Sequence, residues 1–175
     1  MRLETLRLLK AWLSHATYGV NAQIAGVPRS GGDAQPAGFA LIAEATTHDL
    51  AARGQLPDVA AQYPCLLLGL GQSTMLDPHS AVGLRRGVVV VGLRYADKDS
   101  NTQRGMRNAE YRLRAIARSI DDWFVNGAPA DREQNSVTVH YIERGIDVVE
   151  PFAPVADSVV AGLLTVAFQV RDDAP

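Results

Sequence analysis

Leucines recur at a helical interval from the start of the chain: Leu3, Leu6, Leu9 and Leu13, with Leu8 and Trp12 widening the stripe. This pattern predicts an amphipathic helix over residues 2–18. Gly19 is its expected terminator, because glycine enters the left-handed region without a Cβ penalty. From Asn21 to Gly38 no period survives, and Val27-Pro28-Arg29-Ser30-Gly31-Gly32-Asp33 and Gln35-Pro36 carry turn signals. An irregular segment this long in a small domain is typically functional or intermolecular. Phe39 to Ala45 reads as a short strand. Thr47 to Leu56 has no clear identity: its alanines allow a turn of helix, and Gly54 and Pro57 bound it. Tyr63 to Leu70 reads as a buried strand with proline near its start, where a missing amide donor costs least. Gly71 to Arg85 is expected to be a second irregular stretch.

Gly87 to Tyr95 is the clearest central strand, since Val88 to Val91 supply apolar side chains to both faces. After the polar segment Ala96 to Asn101 the period changes from two to 3.6. Met106, Ala109, Leu113, Ile116, Ala117, Ile120 and Phe124 then mark one face of a helix over 103–125, closed by Asn126-Gly127. That face is expected to pack on the strand carrying Val89 or Val90. Val137, Val139 and Tyr141 alternate with Thr138 and His140, and Ile146 to Val149 is a short extended run. From Val160 to Val170 an amphipathic strand follows, with Thr165, Gln169 and Arg171 on its polar side. The order predicts one domain over 1–175 with long loops near 20–38 and 71–85. Its fold class is α+β, a mostly antiparallel sheet packed against two α-helices.

Composition leaves this picture in place: 175 residues, 47% hydrophobic and 21% charged, describe an ordinary globular chain. The formal net charge of −2 argues against a surface that grips nucleic acid throughout, while leaving room for a local basic strip. No leader-like apolar run opens the sequence, and no stretch of 18 apolar residues predicts a membrane span. Cys65, the one cysteine, has no internal disulfide partner and reads as a small core hydrophobe made in a reducing compartment.

Candidate chemistry is sparse. His15, His48, His79 and His140 show no spacing that sets two zinc ligands on one helix face, so no metal site is expected. His15 lies near a helix end and His140 on a sheet surface. Ser73 lacks the turn that exposes a hydrolase serine and reads as a turn residue. Gly69-Leu70-Gly71 and Gly83 to Gly87 lack the spacing of phosphate-binding loops. Asp121 and Asp122 are adjacent only in sequence, pointing about 100° apart on a helix. No catalytic residue and no cofactor is expected.

One charge pattern stands out on the polar side of the second helix. Arg107, Tyr111, Arg114 and Arg118 follow helical spacing, and Arg104 and Arg112 broaden the basic area. Glu110 with Arg114 and Arg118 with Asp122 are expected ion pairs across one turn. Three readings stay open: a solvated face, an intersubunit or docking surface, and a surface that meets phosphate.

Taken in order, the leucine-rich first helix, the strand begun by Tyr63-Pro64, Arg86 to Tyr95, the arginine-rich helix around Asn108 to Ile120 and the closing strand Gly162 to Val170 resemble the tail terminator (tail completion) and minor tail proteins of tailed bacteriophages. The resemblance covers roughly residues 2–171 and is one of architecture. It implies a structural, non-enzymatic subunit of a ring, usually hexameric, that caps the tail tube and offers the docking surface for the head connector. Partners would be copies of the same chain, the tail tube protein and the connector protein. DNA would cross the channel transiently and without sequence preference, and the protein would reside in the tail or neck of the virion after assembly in the host cytoplasm. Asn21 to Pro36 and Gly71 to Arg85 would be the variable contact loops. Thr47 to Gln62 looks like an insertion relative to smaller members. The alternatives are a head-side connector or adaptor ring and, in a different class, a small soluble enzyme.

Overall fold

A computed structural model of the chain describes residues 1–45, 62–75, 85–156 and 158–173. Helix α1 spans Arg2–Leu13 and α2 Val20–Ile24; strands β1 (Leu41–Glu44), β2 (Cys65–Met75) and β3 (Arg85–Lys98) follow. Helix α3 is Thr102–Val125, and after a 3-10 turn at Pro129–Arg132 come β4 (Glu133–Gln134), β5 (Val137–Ala156) and β6 (Val159–Asp172). The strands form one curled six-stranded sheet in the order β1-β2-β3-β6-β5-β4, parallel only between β1 and β2. It packs against α1 and α3, so the expected α+β class with a mostly antiparallel sheet and two main helices is what the chain adopts.

Alternation sets the two faces. Val89, Val91, Leu93 and Tyr95 of β3 are buried toward the helices with Leu66 and Leu68 of β2 and Leu164, Val166 and Phe168 of β6. Val89 therefore meets the helix layer, while Val90 points to the opposite face. From α3 come Ala109, Ile116, Ile120 and Trp123, all fully buried, with Leu113 and Phe124 half-buried at the margin. From α1 come Leu6, Leu9, Trp12 and Leu13; Leu3 lies off the stripe, 39% exposed. The helices are also fastened by polar bonds: Trp12 Nε1 donates to the Ser119 carbonyl at 2.6 Å, and Ser119 Oγ to that of Tyr18 at 2.9 Å.

Several expected boundaries shift, each for a local reason. Helix α1 stops at Leu13, five residues early, because His15 Nδ1 accepts the amides of Thr17 and Tyr18 and turns the chain. Gly19 is the N-cap of α2 in an extended conformation, so it ends no helix through left-handed geometry. It is needed for close approach: a Cβ there would lie 2.3 Å from the His15 carbonyl oxygen. Residues 21–38 thus begin in a short helix. The supposed second loop starts as strand, since a bulge between Leu70 and Ser73 carries β2 on to Met75, and Ser73 sits in that strand instead of a turn. Asp97 and Lys98 belong to β3, not to a linker. The two short runs after Val137 are one strand whose inserted residues, beginning with His140, break the period of two. Residues 47–56, His48, His79, Gly83 and the remainder of the 71–85 stretch up to Leu84 lie outside the described residues.

Ile116→Ala should lower the unfolding free energy by about 2–5 kcal/mol, the cost of a cavity at a site that cannot collapse. Leu113→Ala, at the margin, should cost less than Ile116→Ala. Urea titrations followed by tryptophan fluorescence check the order, and equal losses would contradict the packing.

Candidate functional site

A concavity of about 620 Å3 opens where the first turns of α3 meet the end of β3 and the segment 32–37. Asn101 caps α3, its Oδ1 accepting the Arg104 amide at 3.0 Å. Three arginines and three carboxylates on its wall match one to one, and Lys98 is a fourth cation there. Arg104 holds Asp99 through Nε and Nη2 at 2.8 and 2.7 Å, and this bond keeps the Asp99 carboxyl below its ordinary range. Arg107 Nε faces Asp33 at 3.5 Å, and Arg112 Nη1 donates to Asp97 Oδ2 at 2.5 Å.

The Arg112 pair is the buried one, with side chains 3% and 7% exposed. The same Nη1 donates to the Tyr95 hydroxyl at 2.8 Å, while Nε and Nη2 both donate to the Ala37 carbonyl at 3.1 Å. The guanidinium also lies about 6 Å from the ring centres of Phe39 and Tyr95. Burial pushes the Tyr95 hydroxyl well above the ordinary tyrosine range, although Arg112 opposes the shift. Neutral Tyr95 thus accepts from Arg112 and turns its own proton toward Asp97, 3.4 Å away.

The arginine face divides. Arg104 and Arg107 stay more than half exposed despite their aspartates, and Arg114 is exposed with its guanidinium 5.9 Å from the Tyr111 ring centre. Tyr111 is buried: its hydroxyl donates to Asp33 Oδ2 at 2.7 Å and accepts the Ser30 amide at 3.1 Å. Arg118 Nη1 donates to the Gly26 carbonyl. The expected Arg118–Asp122 pair is not formed, because Asp122 instead accepts from Gln23 Nε2 at 2.6 Å. Nor does Glu110 pair with Arg114. Arg112, expected on the exposed basic area, is inside.

Residues 26–39 therefore form a strap laid over α3 and held by side chains: Arg118 at Gly26, Tyr111 at Ser30 and Asp33, Arg112 at Ala37, and Asn21 at both backbone groups of Phe39. Asp97 and Arg112 were missed as a pair, yet a signal existed. Arg112 falls between Ala109 and Ile116 at the three-and-four spacing of the buried stripe, and Asp97 continues the inward alternation of β3 through Leu93 and Tyr95. Arg94 points to the other sheet face and is also buried, donating to Glu150 at 2.6 Å across β6.

Cys65 is fully buried, and desolvation pushes its thiol up to about 11, consistent with a core cysteine. His15 stacks with Trp12 and Tyr18. Among the described residues no group of three or more His, Cys, Asp or Glu converges as a metal site, and no helix is long and apolar enough to cross a membrane. No protein-family model and no curated protein matches the chain.

Asp97→Ala should cost about 3–5 kcal/mol, because it leaves the Arg112 charge buried and uncompensated. The double change Asp97→Leu with Arg112→Met should cost much less than the two single changes added together. A double-mutant cycle by urea unfolding measures this coupling, and additive losses would contradict it.

Proposed function

We propose that the chain is a structural subunit that assembles with copies of itself into a ring, the role implied by its resemblance to tail terminators. The observation that carries this reading is the outer edge of β5, which the two-residue β4 covers only at one end. Among the described residues, β4 pairs with β5 only at Val137 and Thr138, and no other described strand pairs with β5 on that side. Val148 and Val149 on it are 51% and 53% exposed. A sheet edge with exposed apolar side chains invites pairing unless it is covered or closed into an assembly. Beneath it a mostly apolar groove of about 360 Å3 runs between α3 and β5, walled by Leu113, Ile120, Ile142 and Val148 with Arg114 and Asp121 also lining it. A strand of a second copy added to this edge would place alternate side chains in that groove.

In this reading the exposed Arg104, Arg107 and Arg114 lie on the outer surface of α3, available to a neighbour or a docking partner, while Tyr111 and Arg118 fix the strap behind them. The ring, expected to be hexameric, would cap the tail tube, receive the head connector and let DNA through, working in the tail or neck of a virion as a non-enzymatic part. A head-side connector ring would use the same surfaces, and binding to tail tube versus portal separates the two.

Light scattering of the purified chain, alone and with tail tubes, should give a mass several times the 18.8 kDa subunit or tubes capped at one end. Val148→Asp with Val149→Asp should abolish assembly while leaving thermal unfolding within about 0.5 kcal/mol, as expected for exposed positions. A monomer that never binds tubes would sink the terminator role.

A further inference from the structure

The sheet face away from the helices carries a hollow of about 270 Å3 walled by Arg86, His140, Tyr141, Gln169, Val170 and Arg171. One inserted residue in β5 creates it. Val139 pairs with Val170 and Tyr141 with Gln169, so His140 stands between two consecutive partners. Such a bulge breaks the alternation and re-aims side chains. Val139 stays in the core and Ile142 packs against it, while His140 and the half-exposed Tyr141 both remain outside. Arg171 lies opposite Arg86 in the β3–β6 register, and Gln169 and Arg171 alternate with the buried Phe168 and Val170.

The chemistry of this hollow differs from that of the larger cleft, where each arginine meets an aspartate. Here no carboxylate lines the wall. Asp173 Oδ1 accepts from Arg171 Nε at 2.6 Å, beside the hollow, and no hydrogen bond or ion pair engages Arg86 or His140 among the described residues. Two guanidinium groups, an imidazole, a phenol and an amide thus present donors around one space. A guanidinium fork matches the oxygens of a phosphate.

We propose that this hollow binds backbone phosphates of DNA. Arg86 supplies the unpaired charge, Arg171 adds its remaining guanidinium donors beside Asp173, and His140, Tyr141 and Gln169 add neutral donors that fix the strand's position without reading base edges. Binding is therefore independent of sequence and falls with salt. The site belongs to a single chain and stands or fails apart from the ring reading; within a ring, it would turn this sheet face toward passing DNA.

The test is fluorescence anisotropy of a labelled random-sequence duplex titrated with the full chain at several salt concentrations. Wild type should bind with a salt-dependent affinity. Arg86→Ala should weaken binding several-fold and make the salt slope shallower by about one, and adding Arg171→Ala should weaken it further. Arg104→Ala, in the other cleft, should bind as wild type does. All three side chains are substantially exposed, and melting curves of the variants verify that they fold. Salt-independent or absent binding, or an Arg86→Ala chain that binds like wild type, would overturn the proposal. Inorganic phosphate serves as the competing probe: protection of the chain against heat by phosphate, with no duplex binding, would assign the hollow to a small phosphate ligand and overturn the DNA assignment.

Discussion

The buried Arg112–Asp97 pair is the constraint on which the rest of the arrangement turns. A guanidinium removed from water costs several kcal/mol unless nearly all its donors are met. Here they are met from three directions: Asp97 and Tyr95 at the end of β3, and the Ala37 carbonyl on the strap. One side chain on α3 thereby fixes the height of the helix over the sheet and the path of the strap over the helix. Hydrophobic contact alone tolerates sliding, whereas a buried charge with fixed donor directions does not. The polar cleft beside it is a consequence, since the strap is held at Ala37 and Asp33 and stands over the first turns of α3.

Fixing the strap also separates the molecule into surfaces of different character. On the helix side, Arg104 and Arg107 are exposed without being free, because Asp99 and Asp33 pair with them. The β5 edge exposes Val148 and Val149 next to Asp147. On the far sheet face, the hollow at Arg86 has no carboxylate in its wall, although Arg171 there is paired with Asp173 beside it. These differences bear on partners in a way that the net charge of −2 does not, because an overall sum does not show where charges are paired.

How much of this could be read from the sequence depended on whether local pattern and tertiary role agreed. The α3 stripe and the Val88 to Val91 strand were legible because propensity, period and burial coincide there. The helix-end shift at His15 was not, since an imidazole competing for backbone amides leaves no periodic trace. Strand β5 was seen only as fragments, because every bulge shifts the alternation that would identify a continuous strand. Arg112 was misplaced for a related reason: a charged residue inside an apolar stripe reads as surface unless its partner is known, and Asp97 looked like part of a polar linker. The bulge at His140, which sets two side chains on one face, was hidden for the same reason as β5 itself.

Amide hydrogen exchange of an Arg112→Lys chain tests most directly whether this side chain ties the strap to the helix and sheet. Lysine keeps the charge but lacks the fork that reaches Asp97, Tyr95 and Ala37 together. The account predicts that the Ser30 and Phe39 amides, bonded to Tyr111 and Asn21 in the native chain, lose protection while the amides in the middle of α3 keep theirs. Unchanged protection of the strap would contradict it.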